Sequence, residues 1–126
     1  MAAIKIRDLS VGDWVSVSSN GFSRITAVYL TPMGEMVELL KGEKYSRNFT
    51  EFIEPIPLTP EILEKNGFEE NCGRWYNSEA LMEFEQYKDG WCRTINCGEY
   101  SVYFIKYVHQ LQRALRLAGV GKEIEL

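Results

Sequence analysis

The sequence predicts an α+β fold in two parts, with the boundary near residue 57. Residues 1–57 hold short runs of alternating apolar residues punctuated by turn dipeptides. Residues 58–126 place a capped helix before a second series of strands, then end in an amphipathic segment. The composition suits such a globular chain: 126 residues, 45% hydrophobic and 25% charged, with no block of like charge.

In "LSVGDWVSVSSNGFSRITAVYL", Leu9, Val11, Val15 and Val17 are apolar at alternate positions apart from a Gly12-Asp13 turn. Asn20-Gly21 can supply the two positive φ angles of a tight hairpin, and Ile25, Ala27 and Tyr29 continue the alternation beyond it. "TPMG" sets Pro32 and Gly34 at favoured places of a type I turn. "EMVELL" is the next strand, Gly42 opens the turn after it, and "NFTEF" is a single helical turn. "IEPIP" is a last strand, confined to a sheet edge because Pro55 and Pro57 lack donors. Strands this short, with an opening LxVGDxV pattern and a turn of helix before the last, predict an SH3-like small β-barrel over residues 1–57.

Residues 58–126 predict a helix, an antiparallel meander of three or four strands and a packed C-terminal helix. In "PLTPEILEKNGF", Thr59 is the N-cap, Pro60 takes the first helical position and Leu58 with Leu63 forms a hydrophobic staple. Gly67 then suits a left-handed terminus, with Phe68 folding back. "GFEENCGRWYN", "ALMEFEQY", "WCRTIN" and "YSVYF" supply the strands, with turns at Asn71-Cys72-Gly73, Asp89-Gly90 and Cys97-Gly98. At 100° per residue, Phe104, Val108, Leu111, Leu115 and Ala118 form one apolar stripe that would cover the sheet. Gly119 ends that helix.

Chemistry is harder to find. The net charge of −4 gives no general attraction to phosphate backbones. No run approaches the length of a membrane span, and the opening "MAAIKIRDLS" has no apolar signal region. Cys72, Cys92 and Cys97 are an odd number, which reads as reduced thiols in a cytoplasm. With His109 they match a structural zinc ligand set by type, but not by spacing, so no metal is expected. Glu83 and Glu85 share a strand face, as an acid/base pair would, but simple alternation with Met82 and Phe84 explains them. No phosphate-binding glycine loop or nucleophile motif occurs, so neither enzyme nor cofactor is expected.

His109 is the only histidine, and the helical wheel turns it away from the apolar stripe, toward Lys106, Arg113 and Arg116. Three cations around an imidazole disfavour its protonation and repel a metal ion. The expected role is therefore a solvated position on a basic helix face. Aromatic residues are abundant in the second half, and with that face they define a candidate interaction surface of Tyr76, Tyr87, Tyr103, Lys106, His109, Arg113 and Arg116. The function this predicts is a non-enzymatic protein-binding adaptor, using barrel loops or the outer face of the C-terminal sheet. The alternative is a nucleic-acid accessory protein in which Lys106, His109, Arg113 and Arg116 contact phosphates. A third reading places an enzyme site at the junction of the two parts.

"IEPIPLTPEILEKNGF" and "IKYVHQLQRALRLAGVGKEIEL", with "VGDWV" near the start, resemble a family of short proteins from bacterial genomes and their prophages or other mobile elements. The likeness extends over nearly the whole chain. His109, Leu111 and Gln112 match the family's "KYVHQLQ" ending, and the cysteines lie outside its pattern. The resemblance implies the same architecture, a cytoplasmic setting and a mobile-element origin. It brings no catalytic residue, because no activity is assigned to the family.

Overall fold

The computed structural model describes residues 8–17, 21–79, 82–87, 90–94, 102–119 and 123–126, without the side chains of residues 87, 92–94 and 102–104. The chain is α+β and divides into two compact units, Met1–Ile56 and Pro57–Leu126.

The first unit is one antiparallel sheet that curls into a half-barrel. Its strands are β1 (Trp14–Val17), β2 (Gly21–Thr31), β3 (Gly34–Lys41), β4 (Lys44–Phe49) and β5 (Ile53–Glu54), with a 3-10 turn at Thr50–Phe52 before β5. They lie in the order β4-β3-β2-β1-β5, so the chain returns after the meander to pair Ile53 with Val17 and Glu54 with Ser16. Val15, Val17, Ile25, Val37, Leu39 and Ile53 close a core with Leu9. The predicted alternation fails at Val11, which is exposed, and after the bulge at Ile25/Ala27, which turns Ala27 and Tyr29 off the core row. The strand expected at "IEPIP" shortens to two residues, since Pro55 and Pro57 have no amide hydrogen for a ladder.

The Gly12-Asp13 turn locks the entry to β1. Gly12 has φ 95°, a conformation that costs a side-chain-bearing residue dearly. Its N–H donates to the Ile25 carbonyl at 2.7 Å, and Ile25 N–H returns a bond to the Asp13 carbonyl at 2.9 Å. The buried Asp13 carboxylate accepts from the Ser10 N–H at 2.8 Å. The Asn20 half of the next predicted turn lies outside the described residues, while Gly21 has the expected positive φ of 72°.

The second unit begins with α1 (Pro60–Lys65), built as its caps dictate. Thr59 Oγ1 accepts from Ile62 N–H at 3.3 Å, and Phe68 N–H folds back to the Leu63 carbonyl at 3.0 Å across Gly67. A meander follows: β6 (Glu69–Asn71), β7 (Arg74–Asn77), β8 (Met82–Tyr87), β9 (Gly90–Thr94) and β10 (Val102–Ile105), paired in sequence order. That is one strand more than the predicted upper bound. The difference is β6, whose two-residue turn needs positive φ at both Cys72 (53°) and Gly73 (82°). Trp75 lies opposite Phe84, and the Phe68 ring sits 5.7 Å from Phe84. The predicted turn at Cys97-Gly98 and most of that at Asp89-Gly90 lie outside the described residues.

The last helix, α2, spans Val108–Leu117 and buries Val108, Leu111, Ala114 and Leu115. Its predicted stripe needs two corrections. Phe104 belongs to β10, whose backbone pairs it with Cys92, and Ala118 is an exposed cap residue. The backbone beyond β10 is also occupied, with Leu58 N–H donating to the Lys106 carbonyl at 2.8 Å and Pro57 bridging Tyr107. Helix can start only after those extended residues. Gln110 Oε1 then accepts from the N–H groups of Lys106 and Tyr107, at 2.8 and 3.1 Å, satisfying donors at the entry to the helix.

Candidate interaction surface

Of the residues singled out from the sequence, Tyr76, Lys106, Arg113 and Arg116 are exposed and His109 is not. His109 is buried, 7% exposed, with its ring stacked on Tyr107 at 5.9 Å and 9°. This corrects the expectation of a solvated imidazole. The helix buries His109 and Gln112 beside its aliphatic ridge, so its covered face is wider than the apolar stripe alone. Lys106, Arg113 and Arg116 remain exposed, but Lys106 precedes the helix. The basic stripe therefore loses its central member.

Tyr76 is exposed on β7, directly opposite Glu69 on β6 and Glu83 on β8. Arg74 reaches Glu83 at 3.6 Å. Met82 and Phe84 are buried while Glu83 and Glu85 stay partly in water, which is the alternation expected of a half-covered sheet. Tyr87 and Tyr103 lie on β8 and β10, and their side chains are outside the described residues. The outer face around Tyr76 is thus acidic, and it repels a phosphate backbone.

The exposed apolar groups lie elsewhere. Among the described residues, ten large hydrophobic side chains are exposed to solvent, and eight belong to the first unit: Val11, Phe22, Val28, Tyr29, Leu30, Met33, Tyr45 and Phe52. Four of these, Val28, Tyr29, Leu30 and Met33, lie on the β2–β3 hairpin, with Val28 and Leu30 on one face of the strand and Tyr29 on the other. The reason is a mismatch in strand length. β2 has eleven residues, but β1 pairs only with Gly21–Arg24, so beyond the bulge at Ile25/Ala27 that edge of β2 has no neighbouring strand among the described residues, while β3 still pairs with β4 as far as Met36. The core-facing row of β2 then runs past the core, leaving Leu30 80% exposed, with Met33 at the tip 85% exposed.

This arm is held in shape at both ends. At the tip, Thr31 Oγ1 donates to the Gly34 carbonyl at 2.8 Å and accepts from Met33 N–H at 3.2 Å. At its base, Thr26 Oγ1 donates to Glu38 Oε1 at 2.8 Å, and the Arg47 guanidinium lies 5.6 Å from the Tyr29 ring centre and 4.0 Å from Glu38. A second cation–π pair, Arg24 over Trp14 at 5.3 Å, continues this outer face, on which Trp14, Arg24, Leu40 and Tyr45 stand opposite one another across four strands. The sequence carries a signal for this exposure: "VYL" before "TPMG" is three consecutive apolar residues, and a strand can turn only alternate ones inward.

Among the described residues, no three His, Cys, Asp or Glu side chains converge on a metal-sized site. Cys72 is exposed and free, while the Cys92 side chain and all of Cys97 lie outside the described residues. No described helix is long and apolar enough to cross a membrane. Comparison with protein-family models, with curated proteins and with solved structures returns no match.

Proposed function

We propose that the chain is a non-enzymatic adaptor that binds another protein through the β2–β3 arm and the adjoining outer face of the first sheet. The observation that carries this reading is the concentration of exposed apolar side chains on a hairpin whose turn is locked by hydrogen bonds. A monomeric soluble surface seldom holds such a concentration without a use for it, and pre-set geometry lowers the entropy lost on docking. The interface therefore moves from the tyrosines of the second unit to Leu30 and Met33. We further propose that the first unit is an SH3-like barrel, a type that binds peptides between its loops. Strand order β4-β3-β2-β1-β5, a 3-10 turn before β5 and the return of β5 to β1 support it. A cytoplasmic setting and a prophage or mobile-element origin belong to the same reading, on the sequence resemblance alone.

Immobilised wild-type chain and a Leu30→Asp/Met33→Asp variant should be compared side by side in cross-linked capture. The expected result is a partner retained by the wild type and lost by the folded variant. Equal capture by both, or capture by neither, defeats the proposal. The nucleic-acid alternative now relies on Lys106, Arg113 and Arg116 without His109. It predicts a mobility shift at low salt that vanishes as salt rises.

A further inference from the structure

The segment Glu123–Leu126 lies beside the end of α1 in an arrangement that resembles a bound peptide more than a packed helix or strand. Asn66, the residue that ends α1, is 6% exposed and holds Glu125 by its backbone alone. Asn66 Nδ2 donates to the Glu125 carbonyl at 2.7 Å, and Glu125 N–H donates to Asn66 Oδ1 at 2.7 Å. That donor–acceptor pair is what a neighbouring β-strand would offer, supplied by one side chain. The second Nδ2 hydrogen goes to the Ile62 carbonyl at 2.7 Å, which fixes the orientation of the amide, and Asn77 Nδ2 donates to the Asn66 main-chain carbonyl at 3.2 Å. Lys65 Nζ donates to the Leu126 carbonyl.

Side chains of the segment alternate. Glu123 and Glu125 face water, whereas Ile124 is buried, 4% exposed. The segment is therefore recognised through main-chain groups and one aliphatic anchor, which is how grooves bind extended peptides of limited sequence. If the segment leaves, the Asn66 amide loses two of its bonds, and a buried amide without partners is costly. Another extended chain can restore both bonds.

We propose that the groove at the end of α1 is a binding site for an extended peptide with one aliphatic anchor, filled within the chain by its own Glu123–Leu126. The linkage to α2 runs through Gly119, Val120, Gly121 and Lys122, so the internal segment competes at the high effective concentration of a short tether. Release of that segment opens the site. This inference is independent of the β2–β3 arm, and Leu30→Asp/Met33→Asp is expected to leave it unchanged.

The test is fluorescence anisotropy with a labelled KEIEL peptide and three full-length chains: wild type, Ile124→Asp and Glu125→Pro. The first substitution removes the anchor and the second removes the N–H that meets Asn66, both on the segment rather than in the groove. The expected result is at least about tenfold tighter peptide binding by the variants than by wild type, lost when the peptide isoleucine is replaced by aspartate. Equal binding by all three chains, or no binding by variants whose circular dichroism is native, overturns the proposal. Unfolding of both variants overturns it too, because the segment would then be part of the core and not an occupant.

Discussion

Leu30 and Met33 project into water from the first unit, whereas Asn66, Asn77, His109 and Gln112 are drawn inside the second. Each unit starts from an antiparallel sheet with one apolar face. In the first, the described residues supply no helix to lie on that face, so the sheet curls on itself and the part of β2 that outruns β1 stays bare. In the second, α2 buries one side along its length and takes polar groups in with the aliphatic ones. The energetic consequences run in opposite directions. Leaving an aliphatic side chain in water forgoes about 1.5–3 kcal/mol. Burying an amide is tolerable only when its hydrogen bonds are made, since each one missing costs about 1–3 kcal/mol. The proposed adaptor reading rests on the exposed apolar groups of the first unit, whereas in the second the Asn66 and Asn77 side chains find hydrogen-bond partners within the chain.

The sharpest way to break this comparison is to empty one core and watch both units. Phe84→Ala removes a fully buried ring packed on Phe68 and should cost about 3–5 kcal/mol in a urea titration. If the two units unfold independently, fluorescence of Trp14 in a Trp75→Phe/Trp91→Phe background will report a transition that the substitution does not move. A common shift would show a single cooperative unit. Next in size is Asn66→Ala, expected to cost up to about 3 kcal/mol through the bonds it makes to Ile62 and Glu125. A loss below a few tenths would mean the Glu123–Leu126 segment contributes little to folding.

Within α2, His109→Ala should cost about 1–2 kcal/mol, whereas Arg113→Ala should stay within about 0.5 kcal/mol, because only the first is buried. The reverse ranking would restore the solvated imidazole. Thr59→Ala should cost about 1 kcal/mol, by loss of the bond to Ile62 N–H. Smallest of all, Leu30→Asp/Met33→Asp should change stability by no more than about 0.5 kcal/mol while abolishing capture of a partner. A large drop in melting temperature would show that the arm is core after all.

Much of the local structure was legible beforehand. The Thr59 cap, the reversal at Gly67 and the turns at Gly12, Gly34 and Gly42 each depend on a few adjacent residues, and each stands where its residues place it. So does the alternation of Met82 and Phe84 against Glu83 and Glu85. His109 was misplaced for a different reason. A helical wheel orders residues by angle, but the width of the covered face depends on how much of the molecule packs around the helix. The wheel also began at Phe104, which pairs in a strand with Cys92 and so cannot belong to the helix. The aromatic surface shifted likewise: Tyr76 is exposed as expected, but acids face it from both neighbouring strands.

By itself the sequence determined where strands turn and where helices are capped, because those choices are settled by φ preferences and hydrogen bonds within about four residues. Only the tertiary structure decided which apolar residues stay wet and which polar ones go inside. Leu30 is bare because β1 stops short of it, and Asn66 is satisfied by a residue 59 positions away. Burial is a property of partners distant in the chain, and no local pattern encodes whether they arrive.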